Sequence, residues 1–292
     1  MTTQGRATPN GRIARLDRRA VVAVGGSDAQ KFLNDLVTAD VADAGGNRAV
    51  YAALLTPQGK IIFDFIIFRD GDTFLFDLPR DKVAEFAKRL GFYRLRANVT
   101  IAERPEIKVV AGWNGATTPP AGTSAADPRL PDLGWRALAG GDVVTDATEA
   151  DYDAHRIARG IPEGGLDFAF GDAFPHDVDM DQLHGVAFTK GCYVGQEVVS
   201  RMEHRHTARR RVVVARAADR LPANSEVLAA GRPIGTLGSS AGELALALVR
   251  LDRAKDAMDR GEPLTAAGVP LSLSIPEWAG FSWPTAAEAR EG

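Results

Sequence analysis

Apolar and polar positions follow two textures along this chain. Up to about residue 208, short apolar runs alternate with longer stretches of helical period. "AVVAV" (Ala20 to Val24) reads as a buried strand. In "GGSDAQKFLNDLV", Ser27 with Gln30 three residues on is a capping-box pattern that opens a helix. "YAALLTPQGKIIFDFIIFRDGDTFLFDLP" predicts an antiparallel meander of three strands, with turns at Pro57 to Gly59 and Asp70 to Asp72. "DKVAEFAKRLG" puts Val83, Phe86, Ala87 and Leu90 on one helical stripe, with Asp81 as cap and Gly91 as stop. Strands "NVTIAE" and "IKVVAGW" come next. "NGATTPPAGTSAADPRLPD" reads as loop or linker, and "EADYDAHRIARG" as a helix closed by Gly160 and Pro162.

From Arg211 the texture changes. "RRVVVARA", "SEVLAAGRPIGTLGSS", "ELALALVR" and "VPLSLSIPEW" are short strands broken by turn residues, the pattern of a small antiparallel barrel or sandwich. A boundary near Thr207 to Arg210 divides the chain into an α/β region, 1–208, and a C-terminal β-barrel, 209–292. The fold class is α+β.

Composition narrows the field. The 292 residues are 45% hydrophobic and 25% charged, with a formal net charge of -3, as in an ordinary soluble globular protein. Nothing in the bulk charge points to nucleic acid or an anionic membrane. The longest apolar run, "IIFDFIIF", is too short to span a bilayer. A single cysteine makes no internal disulfide and builds no metal site alone, which predicts a reducing cytoplasm. The opening "MTTQGRATPNGR" has no apolar h-region and reads as a disordered tail rather than a secretory signal.

Four places could carry chemistry. Cys192 stands in "TKGCYVGQEVVSR", near Gly191 and Gly195, with Lys190 before it and a helix start just after it. Neighbouring cations and helix N-termini activate thiols, whereas a lone cysteine is more often a small buried residue. On that helix Gln196, Glu197 and Arg201 follow the turn, and Glu197 and Arg201 have the i,i+4 spacing of a pair that could clamp it or merely face solvent. Asp64 is the one polar residue of "IIFDFIIF" and must be paired, hydrogen-bonded or facing a cavity. Tyr152, His155, Arg156 and Arg159 share a helix face suited to an aromatic, carboxylate-bearing ligand, unless that face is simply solvated. His204 and His206, with His176 and His184 in loop-like sequence, make no recognisable metal set, so no metal is expected. The basic run Arg205 to Arg211 reads as a solvated linker.

"KGCYVGQE" (Lys190 to Glu197) resembles the signature of the YgfZ-type proteins, folate-binding relatives of the glycine-cleavage aminomethyltransferase, the T-protein. "FLNDLVTADV", "LLTPQGKIIFDF", "RIARGIP" and "GRPIGTL" are similar to further landmarks of that family, in order, so the resemblance covers nearly the whole chain. It implies three lobes around a central channel: two interleaved α/β lobes, one at approximately 49–105, and the barrel. It implies tetrahydrofolate or a derivative in the channel, held by Asp64, Tyr152, Arg156, Gln196, Glu197 and Arg201, with Cys192 and Lys190 as the working groups. The implied role is support of iron–sulfur cluster assembly or repair, with client or assembly proteins as partners and tRNA-modifying enzymes among the clients. A monomer is expected, with no membrane and no direct nucleic-acid partner.

The sequence departs from the T-protein pattern in two places. Its pair of aspartates reads Phe63-Asp64 here, and its pterin-contacting glutamate is replaced by Ala158 in "RIARG". Both departures weigh against the alternative of a folate-dependent one-carbon transferase or demethylase. A cysteine hydrolase would need a base that no histidine obviously supplies. An RNA-binding module would need interleaved aromatics and basic charge.

Overall fold

The structure, a computed structural model, describes residues 11–205 and 208–285. The tail expectation for residues 1–10 therefore lies outside the described residues. Strand β1 (Arg12–Arg15) follows at once, then β2 (Arg19–Gly25), α1 (Ala29–Asn34), β3 (Val50–Leu55), β4 (Ile61–Asp70), β5 (Thr73–Pro79), α2 (Val83–Arg94) and β6 (Thr100–Glu103). The expected meander is present as β3-β4-β5, within an antiparallel sheet of order β3-β4-β5-β2-β6. The lobe expected at about 49–105 thus takes in β2 and α1 as well. Strand alternation explains why β4 is apolar almost throughout. Phe63, Phe65 and Ile67 point into the cluster under α1 and α2, while Ile66 and Phe68 point into the core shared with the second lobe.

The second lobe is the sheet β1-β7-β9-β8, built from β1 with β7 (Lys108–Trp113), β8 (Gly122–Ala126) and β9 (Trp135–Ala139). The two lobes are interleaved because β1 joins the second sheet before β2 enters the first. The segment expected as linker holds β8, a correction. "GTSAA" has almost no strand signature, yet as an edge strand it pairs with β9 from Gly122 to Ala126. The chain then enters α3 (Glu149–Ala158), which opens with a capping box between Thr148 and Asp151.

Two other helix ends differ from expectation. Ser27 caps nothing: its hydroxyl accepts from Asn98 Nδ2 at 3.0 Å, and Asp28 accepts from the Asn98 N–H at 2.7 Å. Asp81 lies in a 3-10 turn before α2, and Gly91 sits inside that helix rather than ending it.

After α4 (Gln196–Arg205) comes the barrel: β10 (Arg210–Arg216), β11 (Glu226–Ala229), β12 (Arg232–Ala241), β13 (Leu244–Arg250), α5 (Leu251–Asp259), β14 (Leu264–Ala266), β15 (Val269–Pro270) and β16 (Ser272–Ser274). Its order is β15-β14-β11-β12-β13-β10-β16. The two edge strands are joined through Leu271 alone, so the sheet is nearly closed. Helix α5 interrupts the expected run of strands, burying Leu251, Ala254 and Ala257 at i, i+3 and i+6. No helix among the described residues is long and apolar enough to cross a membrane.

Candidate functional site

The signature turn rests on the turn between β3 and β4. Gly195 has φ +84, and a Cβ there would stand 2.6 Å from Thr56 O and 3.2 Å from Gly59 Cα. Gly59, at φ +81, is less tightly enclosed, since a Cβ there would stand 3.0 Å from the Val198 side chain. Two of the motifs singled out in the sequence are therefore pressed together, with glycine favoured on both sides by φ and required at Gly195 by space as well. On the other flank, Lys190 Nζ donates to Val37 O at 2.8 Å and Ala39 O at 2.7 Å. Burial pulls the Lys190 ammonium down to about 8, against the opposing charges of Asp40 and Asp35. Tyr193 packs into the core, and burial lifts its phenol to about 12.

Cys192, between these anchors, is exposed. The structure brings Lys190 and Cys192 into one turn but spends the lysine on carbonyls, making it a latch. Gln196 donates its backbone N–H to Tyr193 O at 3.2 Å as α4 begins. Glu197 and Arg201 pair at 2.8 Å with 85% and 56% of their side chains exposed, so they form a solvated pair and clamp nothing.

Tyr152 and Arg156 do not face a ligand, contrary to expectation. The Tyr152 hydroxyl accepts from Arg129 at 3.0 Å and Arg136 at 2.9 Å, and its ring meets Trp113 edge-on. Arg156 is fully buried, donating to Asp167 at 2.6 Å, Asp153 at 2.9 Å and Ser239 at 2.8 Å. It ties α3 to the barrel, and Asp167 accepts from Ser239 on the same seam. Trp278 adds a hydrogen bond to Arg159 O at 2.6 Å, while His155 meets Asp132 O at 3.0 Å. The helix face is used up internally: Asp153, Glu163 and Asp167, from the same helix and the segment just after it, converge on Arg156, and Arg129 and Arg136 converge on Tyr152.

The same network extends to Arg19, which bridges Asp77 at 2.6 Å and Glu163 at 3.1 Å, and to Arg136, which pairs with Asp77 at 2.8 Å. Burial works to raise the Glu163 carboxyl, but Arg19 and Arg156 overcome it and hold the group down at about 2. Asp64 fares differently. It is buried, accepts from Tyr51 OH at 3.2 Å and Gly164 N–H at 3.4 Å, and leaves Oδ1 without a partner among the described residues. Desolvation raises its pKa; Arg19 pulls the other way and Glu163 adds to the rise. A cavity of about 540 Å³ is walled by Pro79, Gly164, Leu166 and Phe170 with Glu163, Arg18 and Arg80. Asp64 does not line it, but abuts Gly164 in its wall, where a Cβ would meet Asp64 Oδ1 at 2.4 Å and the Phe170 ring at 2.5 Å. The sequence missed Glu163 and Phe170; their signal was "PEGGLDFAF", a glycine pair beside a carboxylate just after α3.

Two smaller expectations also change. His176, Asp181 and Glu203 bring possible ligand atoms within 4.8 Å of one another, although Asp181 is already bound by Arg211 at 2.5 and 2.9 Å. The basic run is not all solvated linker, since Arg211 is buried against Asp179 and Asp181 and Arg210 pairs with Asp177. His206 lies outside the described residues.

The CAF17 C-terminal β-barrel family model matches residues 209–281. The mitochondrial iron–sulfur cluster assembly factor IBA57 of Homo sapiens is 31% identical over 312 residues, covering 93% of this chain and 85% of that protein. This chain belongs to the IBA57 family. The IBA57 of Mus musculus is likewise 31% identical, over 94% of this chain and 86% of its own length. Among solved structures, the glycine cleavage system aminomethyltransferase T from Bartonella henselae superposes with a TM-score of 0.71 at 15% identity, covering 92% of this chain and 86% of that one. The fold is T-protein-like, with its barrel at the C-terminus. The cytoplasmic expectation is corrected by the IBA57 relatives, which are named as mitochondrial proteins. A lone free thiol suits any reducing compartment, so cysteine count could not separate the two.

Proposed function

We propose that this protein serves iron–sulfur cluster assembly or repair by lending the Cys192 sulfur to a cluster shared with a partner protein. The observation that carries this reading is the contrast at the signature turn. Cys192 is exposed, while Lys190, Tyr193 and Gly195 on either side are anchored to the first lobe. An anchored turn holds the thiol in one place without covering it. Clusters need several thiolate ligands and this chain has one cysteine, so a partner completes the set. Membership of the IBA57 family supports the same role. Clients would include iron–sulfur enzymes, tRNA-modifying ones among them.

The proposal includes a reduced folate in the cavity beside Glu163. Phe170, Leu166 and Pro79 offer an apolar wall to a flat ring, Glu163 an acceptor for ring N–H groups, and Arg80 a cation for an acidic tail, while Arg18 is held by Asp153 and Glu149. Tetrahydrofolate carries one-carbon units when bound; the chain's own groups hold and orient it. Transfer of such a unit gains no support, because Phe63 fills the core where the T-protein pattern has its first aspartate.

In a strain lacking the protein, Cys192→Ser should fold normally yet fail to restore iron–sulfur enzyme activity. Full restoration would overturn the role of the sulfur. Calorimetric titration with tetrahydrofolate should give saturable heat that Glu163→Gln weakens; no heat at millimolar ligand would remove the folate.

A further inference from the structure

The carboxy-terminal end of α2 carries an unusual tip. Phe92 is 65% exposed and Leu95 is 89% exposed, two of the few large apolar side chains that face solvent. Ala97 N–H donates to Arg94 O at 2.7 Å, closing a turn whose second residue is Leu95. Leu95 has φ 42 and ψ -103, close to the first corner of a type II′ turn, where glycine is the usual occupant. A β-carbon there is strained, and Leu95 makes no buried contact that would compensate. Around it stand Lys88, Arg89, Arg94 and Arg96. Among the described residues none of the four has an ion-pair partner, and Glu85, three residues before Lys88, is paired with Lys82.

The tip shares a layer with the cysteine turn. Tyr93, from α2, and Val194, from the signature turn, pack into the same apolar cluster on one face of the five-stranded sheet. The turn sits at the end of β3 and the tip at the start of β6, on opposite edges of that sheet and at opposite ends of its strands. Four strand spacings across and about nine residues along put them roughly 35 Å apart. The larger class of protein interfaces, above about 1,000 Å² per partner, spans about that distance, so one such partner reaches both.

The geometry points to a second contact on this layer. The tip of α2 docks an acidic surface on the partner protein that meets Cys192, with Leu95 as the anchor side chain and Arg89, Arg94 and Arg96 around it. This rests on the assembly reading above. A folded protein fits the tip better than a bilayer does. Arginine and aromatics are enriched in protein interfaces. A backbone strained into one conformation presents Leu95 ready for a pocket, a pre-organisation that fluid lipid does not need. The rest of the chain is also net negative, which an anionic bilayer repels.

The test places a photo-crosslinking residue at Lys88 in the full chain, in cells. One dominant adduct is expected, to a protein segment rich in Asp and Glu. Arg89→Glu with Arg96→Glu should lower its yield at least tenfold, and reversing the crosslinked acids to lysine should restore it. Leu95→Gly should cut the yield at least fivefold while the thermal midpoint holds or rises, since glycine relieves the turn. No dominant adduct, an adduct to lipid or RNA, or a yield indifferent to charge reversal overturns the proposal. The yield is read in Cys192→Ser too, because the tip does not need the sulfur. Activity that survives Cys192→Ser removes the assembly reading and leaves the crosslink standing, whereas loss of the crosslink alone removes only the tip.

Discussion

Gly195 packs against Gly59 with no room for a side chain of its own. Each has a positive φ, and a Cβ on Gly195 would come within 2.6 Å of Thr56 O, a backbone atom with nowhere to go. Gly195→Ala is expected to cost about 1–3 kcal/mol, from the strained φ alone and more if the turn must lift. Differential scanning calorimetry reads the stability. Faster alkylation of Cys192 would report that the turn has lifted. A midpoint equal to that of the parent protein would show the contact to be dispensable.

Arg156 predicts a loss of fold rather than of ligand. It is fully buried among Asp167, Asp153 and Ser239, and its removal leaves Asp167 without its cation. Breaking one partner out of a buried pair costs roughly 3–5 kcal/mol. Arg156→Met should therefore lower the urea midpoint sharply, and should leave folate affinity unchanged where the protein is still folded. The reverse pattern, intact stability with lost affinity, would return Arg156 to the ligand site.

Lys190 sets a pH dependence. Its folded pKa is about 8, below the ordinary lysine value of 10.5, with burial as the cause. Between those values the unfolded chain holds a proton that the folded chain has released. Stability therefore rises with pH across this window, as the buried charge is relieved, and the residue's cost is fully present below about 8. The neutral amine still has two N–H groups for Val37 O and Ala39 O. Unfolding by urea at a series of pH values from 7 to 10.5 should show this slope, flattened in Lys190→Met. An identical slope in both proteins would discard it.

Much of this was legible in the residues. The meander, the two textures of the chain and the signature turn follow from periodicity and turn chemistry, because each depends on residues close in sequence. The fate of Tyr152 and Arg156 was not legible, since Arg129, Arg136 and Ser239 come from other elements and Asp167 from the irregular segment after α3, whose path periodicity does not give. A helix face that is aromatic and cationic looks the same whether it meets a ligand or a buried carboxylate. Strand β8 escaped notice for a related reason: "GTSAA" draws its order from pairing with β9, and nothing local announces it. Asp64 stands out in its apolar strand, but its contact with Gly164 in the cavity wall depends on a residue far along the chain.

The latch on Lys190 also fixes when the thiol is ready. Lys190 reaches back 153 residues to Val37, and Gly195 reaches back to the β3–β4 turn. Contacts of such long range carry a loop-closure cost that ordered neighbours must offset. The anchored turn therefore cannot exist before the first lobe that supplies Val37, Ala39 and the β3–β4 turn has formed. The finished thiol is thus a product of completed folding. A nascent or misfolded chain has the same cysteine without its setting, so presentation of the sulfur doubles as a quality check on the protein that offers it.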